Sequence, residues 1–228
     1  LEINSLAQLS LLEACRHYNP EIKIVFASTR QLYGRPDFLP VNELHPVRPV
    51  DVNGINKLAG EWYHLLYNNV YGIRSCALRL TNTYGPGMRV KDARQTFLGI
   101  WIRLLLEGKT IKVFGDGQQL RDFNYVDDCV SAILMAGASD FANGKVYNLG
   151  SSEVISLKDL AQLLLNLGYP GSYELVPFPG ERKAIDIGDY YSDFSLIKSE
   201  LGWEPSVNLN LGLSKTLAYY HEYHSHYW

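Results

Sequence analysis

The sequence predicts an α/β fold with a doubly wound parallel sheet. Three observations lead there. A short apolar run at residues 22–28 is rich in β-branched residues and suits a buried parallel strand. A second such run follows at residues 73–80, and a helix-period segment, residues 53–71, lies between them. Strand, helix and strand joined at this length require a right-handed crossover within one sheet.

The elements follow in order. Residues 1–18 carry apolar side chains at helical spacing (Ile3, Leu6, Ala7, Leu11, Ala14, Cys15). After the first strand a loop holds Gly34, Pro36, Pro40, Pro46 and Pro49. The helix of residues 53–71 places Leu58, Trp62, Leu65 and Leu66 on one side, and Gly72 is its expected C-cap. The second strand closes at Thr83-Tyr84-Gly85-Pro86-Gly87. A helix is expected over 94–107. Short strands are expected at 111–114 and 121–125, around the turn Gly115-Asp116-Gly117. Asp127 and Asp128 open a helix that runs to about residue 138, because acidic side chains favour a helix N-terminus. A strand at 146–149 follows, then a helix over 157–167 that Ser156 caps. Helices near 194–201 and 211–224 finish the chain.

Composition excludes several classes. The 228 residues are 46% hydrophobic and 20% charged, as in ordinary globular proteins. A net charge of −3 gives no polybasic surface for nucleic acid. No apolar run approaches the ~20 residues that span a bilayer. Cys15, Cys76 and Cys129 are odd in number and sit in apolar stretches, which reads as reduced core thiols in a cytoplasmic protein. Three histidines in the aromatic tail, His221, His224 and His226, have no fixed carboxylate or cysteine partner, so no metal site is expected. The chain opens at Leu1 inside a helical pattern, with no cap before it. It therefore reads as a cut or fragmentary piece of a longer protein.

Three groups of residues carry candidate chemistry. Ser28 and Thr29 end the first strand, where ligands of open α/β sheets bind; strand-end capping is the alternative. Lys57 lies in the first turn of a helix, against the dipole, and reads as a functional amine or as a solvated surface charge. Arg79, Asn82, Arg121 and Arg182 end apolar runs, as surface charges or as a set able to grip a diphosphate.

In this order the motifs resemble the extended short-chain dehydrogenase/reductase family, in particular its NAD-dependent nucleotide-sugar epimerases, dehydratases and decarboxylases. Thr29 with Tyr33-Gly34 is similar to the family's Ser/Thr…Val-Tyr-Gly. Asn53-Gly54-Ile55-Asn56-Lys57 stands where the family has Tyr-x-x-x-Lys. Arg79-Leu80-Thr81-Asn82-Thr83-Tyr84-Gly85-Pro86 resembles its Arg-x-x-Asn-x-Tyr-Gly-Pro. Gly115-Asp116-Gly117, with Arg121-Asp122-Phe123-Asn124-Tyr125-Val126-Asp127-Asp128, is similar to its Gly-x-Gly…Arg-Asp-Phe-x-Tyr-Val-x-Asp. Leu201-Gly202-Trp203-Glu204-Pro205 matches its Leu-Gly-Trp-x-Pro.

The resemblance implies an incomplete Rossmann-type domain over residues 1–90. A smaller α/β nucleotide-sugar lobe would occupy mainly residues 91–228. Thr29, Asn53 and Lys57 would stand at the catalytic positions, and Ser28 and Lys57 would face NAD. Asn82, Arg121 and Arg182 would hold the diphosphate, with Phe114 packed on the base or, alternatively, serving as a core residue. The substrate would be a nucleotide sugar, with a lean to uridine. A homodimer would form through helices 2–17 and 54–70.

Two departures qualify the expectation. The sequence contains no Gly-x-x-Gly-x-x-Gly turn for the NAD pyrophosphate, so this chain alone is not expected to bind NAD tightly. The tyrosine position is Asn53, whose amide cannot take a proton at neutral pH; losing a positioned base costs ~10²–10⁴ in rate. The alternative function is therefore a catalytically inactive or truncated relative that binds nucleotide sugars.

Overall fold

The computed structural model describes residues 1–91, 96–180, 183 and 185–228. Strand β1 (Lys23–Thr29) pairs in parallel with β2 (Arg74–Leu80), which pairs in parallel with β6 (Val146–Asn148). The crossover from β1 to β2 is helix α2 (Val52–Tyr71), packed beside α1 (Ala7–Tyr18). Two smaller sheets follow. In one, β5 (Leu120–Tyr125) lies between β3 (Asn82–Tyr84) and the antiparallel β7 (Val154–Ser156). In the other, β4 (Thr110–Phe114) runs parallel to β8 (Ser172–Val176).

The remaining helices are α3 (Phe97–Leu106), α4 (Val126–Ala138), α5 (Leu157–Asn166), α6 (Ser195–Leu201) and α7 (Leu209–Tyr223). Their ends are chemically specified. Asp51 caps α2 by accepting from Gly54 N at 2.7 Å, and Ser156 caps α5 by accepting from Asp159 N at 3.0 Å. Such caps contribute ~1 kcal/mol each. Gly72 closes α2 at φ 72°, a left-handed conformation that costs glycine least.

One core cluster gathers α3, β4, α5 and α7 around Trp101, Leu105, Val113 and Leu213. A second lies under the parallel sheet around Leu78, Ala132, Tyr147 and Trp203. Cys15, Cys76 and Cys129 are buried and unpaired with one another. Among the described residues, no helix is long and apolar enough to cross a membrane.

Besides the short strands β3, β7 and β8, which the sequence reading did not include, the structure departs from it in three places. The first segment is a π-helical turn over Glu2–Leu6 before α1 begins. Strands β4 and β5, expected around one turn, belong to different sheets, because β4 takes β8 as its neighbour and β5 takes β3 and β7. Helix α3 begins at Phe97, where Thr96 accepts from Gly99 N at 3.0 Å; the expected start at residues 94–95 lies outside the described residues.

Candidate active site

The carboxyl ends of β1 and β2, with the first two turns of α2, enclose a cleft of ≈ 440 Å³; because α2 begins at Val52, Lys57 lies in its second turn and not, as expected, in the first. The carboxyl ends of the strands are where ligands bind in open sheets of this kind. Thr29, Asn53, Lys57 and Asn82 all line this cleft.

Lys57 reaches back across β1. Its Nζ donates to the Ala27 carbonyl at 2.8 Å and sits 5.0 Å from the centre of the Phe26 ring. Burial pushes the ammonium below the usual lysine range. An ammonium has three donors, and among the described residues only one is used. Thr29 Oγ1 accepts from Gln31 N at 3.3 Å, which leaves its own hydroxyl proton to donate.

Asn53 is exposed and held in a chain of amides. Its Oδ1 accepts from Asn4 Nδ2 at 3.1 Å, and its Nδ2 donates to Gln31 Oε1. Gln31 Nε2 in turn donates to Asp51 Oδ2 at 3.2 Å. The Asn53 amide is thus oriented by its neighbours and offers the cleft a donor.

Ser28 lines the cleft wall with its hydroxyl turned inward. It is buried and donates to Glu61 Oε2 at 2.6 Å. Glu61 accepts from Arg79, and Arg79 Nη1 donates to the Tyr33 hydroxyl at 2.6 Å. The Tyr33 hydroxyl in turn donates to Asn148 Oδ1 at 2.7 Å. Burial pushes the Tyr33 phenol up to about 12, and the ring is fully enclosed, so it is a strut behind the site and no base within it.

The expected diphosphate residues take different positions. Asn82 Oδ1 accepts from Arg30 Nη2 at 3.1 Å while its Nδ2 donates to the Asp122 carbonyl at 2.9 Å. Arg121 is buried and turned to backbone: its Nη1 donates to the carbonyls of Leu120, at 2.7 Å, and Gly188, and Nη2 lies 3.7 Å from Asp186. Burial, and then the Arg30 charge nearby, lower its pKa to about 10. Arg121 does not border the cleft. Arg182 lies outside the described residues.

Phe114 is half-buried, with its ring centre 5.6 Å from that of Phe178. Together with Trp101, Leu104 and Ile185, these rings line a second, more apolar cavity of ≈ 770 Å³. Phe97 borders both cavities, so the two adjoin. The sequence reading missed Phe178, Trp101 and Arg30. Only Arg30 carried a local signal, its place directly after Thr29. At the tail, His221 meets the Tyr169 ring and His224 packs on Trp228.

A parallel sheet, a lysine on its crossover helix and an apolar cavity beside the strand ends define an α/β protein with a candidate ligand site at its strand ends. The chain belongs to the NAD dependent epimerase/dehydratase family, which it matches over residues 1–150. It is 35% identical over 218 residues to a putative UDP-glucose 4-epimerase of Methanocaldococcus jannaschii, covering 95% of this chain and 68% of that one. The UDP-glucose 4-epimerase of Thermotoga maritima, solved with UDP-glucose, superposes with a TM-score of 0.87 at 31% identity, over 97% of this chain and 70% of that one. The UDP-glucuronic acid 4-epimerase of Bacillus cereus, solved with UDP-glucuronic acid and NAD, gives 0.84 at 29% identity, over 97% and 68%. The chain spans from 51% to 68% of the length of such curated relatives.

Proposed function

We propose that this chain forms the substrate-binding and lysine-bearing part of an NAD-dependent enzyme that epimerises or dehydrates a UDP-sugar. The observation that carries this reading is the strand-end cleft holding Thr29, Asn53 and Lys57 next to the apolar cavity of Phe114 and Phe178. The UDP-sugar specificity is taken over from the relatives. In the same reading, residues 1–90 are the dinucleotide-binding part and residues 91–228 mainly the nucleotide-sugar lobe. The exposed apolar faces of α1 and α2 form a homodimer interface.

The residues present fit the nicotinamide end of NAD. Lys57 has unused donors, the Thr29 hydroxyl is near, and the exposed Ala27 leaves the strand surface open. Bound NAD supplies a reversible acceptor for hydride from the sugar carbon. Lys57 would hold ribose hydroxyls, and Thr29 and Asn53 would orient the sugar hydroxyl. The sequence has no glycine-rich turn for the pyrophosphate, so the 228 residues by themselves bind NAD weakly.

A second reading, a nucleotide-sugar binder without turnover, is favoured by one observation: the Asn53 oxygen already accepts from Asn4, and no amide there can take a proton. Titration calorimetry with UDP, UDP-glucose and UDP-glucuronate tests the shared part of both readings. Saturable binding that Phe114→Ala weakens is expected; no binding of any of the three defeats both. Turnover with NAD then separates them.

A further inference from the structure

Arg30 stands one residue past Thr29 in the short turn that ends β1, and it lines the cleft with Asn53 and Lys57. A guanidinium carries five N–H donors in a rigid fork. Among the described residues, one of these donors has a partner, the neutral Asn82 Oδ1 at 3.1 Å. The guanidinium carbon lies 4.9 Å above the Tyr190 ring, which fixes its plane. Arg79 and Arg121 each have a carboxylate partner; Arg30 forms no ion pair with a described residue. Three carboxylates lie within electrostatic reach of Arg30, and each is committed elsewhere: Asp122 to Thr81 and, at 3.0 Å, to Ser192 N, Asp51 to Gly54 N and Gln31 Nε2, and Asp186 to Arg121. Burial works against the Arg30 charge, and the Arg121 charge is near.

A half-buried, stacked and charged fork with no carboxylate in direct contact, facing an open cleft, is suited to an anion. Its position indicates which one. A nucleotide with its base against Phe114 would enter the cleft past Phe97, the residue common to both cavities. The diphosphate would lie at that junction. Arg30 borders the cleft beside Thr29 and Asn53 and does not border the apolar cavity, so it meets the far end of the ligand, the sugar.

We propose that Arg30 recognises a carboxylate on the sugar, so that the substrate is a nucleotide-linked uronic acid and not a neutral hexose. The inference rests on the nucleotide-sugar reading above and narrows it. A neutral sugar would leave the fork desolvated and unpaired, whereas a carboxylate at that place takes two parallel N–H bonds.

The test is titration calorimetry on this chain, wild type and Arg30→Gln, with UDP, UDP-glucose and UDP-glucuronate. A hydrogen bond to a charged group is worth ~10–150-fold in affinity. Wild type should therefore bind UDP-glucuronate at least about tenfold tighter than UDP-glucose. Arg30→Gln should lose that preference and leave UDP and UDP-glucose within about twofold, with Arg30→Lys between the two. Melting curves check that each variant is folded. If Arg30→Gln does not fold, the wild-type preference and the Lys variant decide. Equal losses for all three ligands would put Arg30 on the diphosphate and overturn the proposal, as would a wild-type preference for UDP-glucose. No binding of any UDP compound by wild type would instead defeat the nucleotide-sugar reading, and this inference with it.

Discussion

Glu61 and Arg79 face each other inside the fold as a two-point pair, with Nη2 to Oε1 at 2.6 Å and Nε to Oε2 at 3.1 Å. Their side chains are 1% and 8% exposed. Burial opposes the Arg79 charge, but the Glu61 carboxylate more than offsets it and holds the guanidinium protonated. Glu61 also takes the Ser28 hydroxyl, so the pair fixes the end of β1 on which Thr29 and Arg30 stand.

Removing one partner strands the other charge. Glu61→Ala should destabilise the fold by ~3–5 kcal/mol, read from the urea midpoint. A loss below about 1 kcal/mol would mean that water reaches Arg79 and solvates it.

Asn53 gives the second prediction. In a chain that carries a glycine-rich half ahead of Leu1, Asn53→Tyr should raise turnover of UDP-sugars, because Lys57 can tune a phenol as a base. Lys57→Ala should depress turnover in either background. Steady-state assays across a panel of UDP-sugars check both. A wild type that already turns over at about 1–10³ s⁻¹ would mean the base has moved elsewhere.

The outer faces of α1 and α2 give the third. Leu11, Ile55, Trp62, Leu66 and Val70 are 47% to 59% exposed and lie on these two helices. A contiguous apolar face of this kind favours self-association. Light scattering should report an oligomer at micromolar concentration. Trp62→Glu combined with Leu66→Glu should yield a folded monomer, since neither side chain belongs to the core.

His64 gives the fourth. It is fully buried, stacked 4.7 Å from Phe26, and donates from Nε2 to Gln8 at 3.3 Å. Burial lowers its pKa to about 4. The unfolded chain, with an ordinary histidine near ~6.5, binds more protons across that window. Stability is therefore complete above pH ~6.5 and falls as the pH drops toward 4, by roughly 3 kcal/mol at the lower end. His64→Phe removes the titrating ring and also the Nδ1 left without a partner. It should flatten the limb between pH 6.5 and 5 in denaturant midpoints; an unchanged slope would assign that limb to other groups.

The sequence made the parallel β1–α2–β2 unit legible because each part is local: a β-branched run, an amphipathic period and a glycine stop; the Asp51 cap was not read from it. Strand β8 was missed because Ser172–Val176 alternates poorly and takes its register from β4, about sixty residues earlier. Motifs single out Thr29, Asn53 and Lys57, and these do line the candidate cleft. Side-chain orientation was not legible. Ser28 turns inward only because Glu61 waits behind it, and Arg121 turns to backbone carbonyls supplied by the loop at Gly188. Such choices are made by partners distant in sequence, which no local pattern encodes.

Asp128 binds the chain's end to its middle. Its carboxylate takes Ser206 N and Ser206 Oγ on one oxygen, at 3.0 and 2.7 Å, and Val207 N on the other at 3.1 Å; its own carbonyl takes the Trp203 indole at 3.0 Å. The start of α4 is therefore finished by residues synthesised more than seventy positions later. A chain cut before Trp203 would leave the Asp128 carboxylate without its Ser206 and Val207 donors and the indole slot empty, so the start of α4 is completed only when that segment folds back onto it.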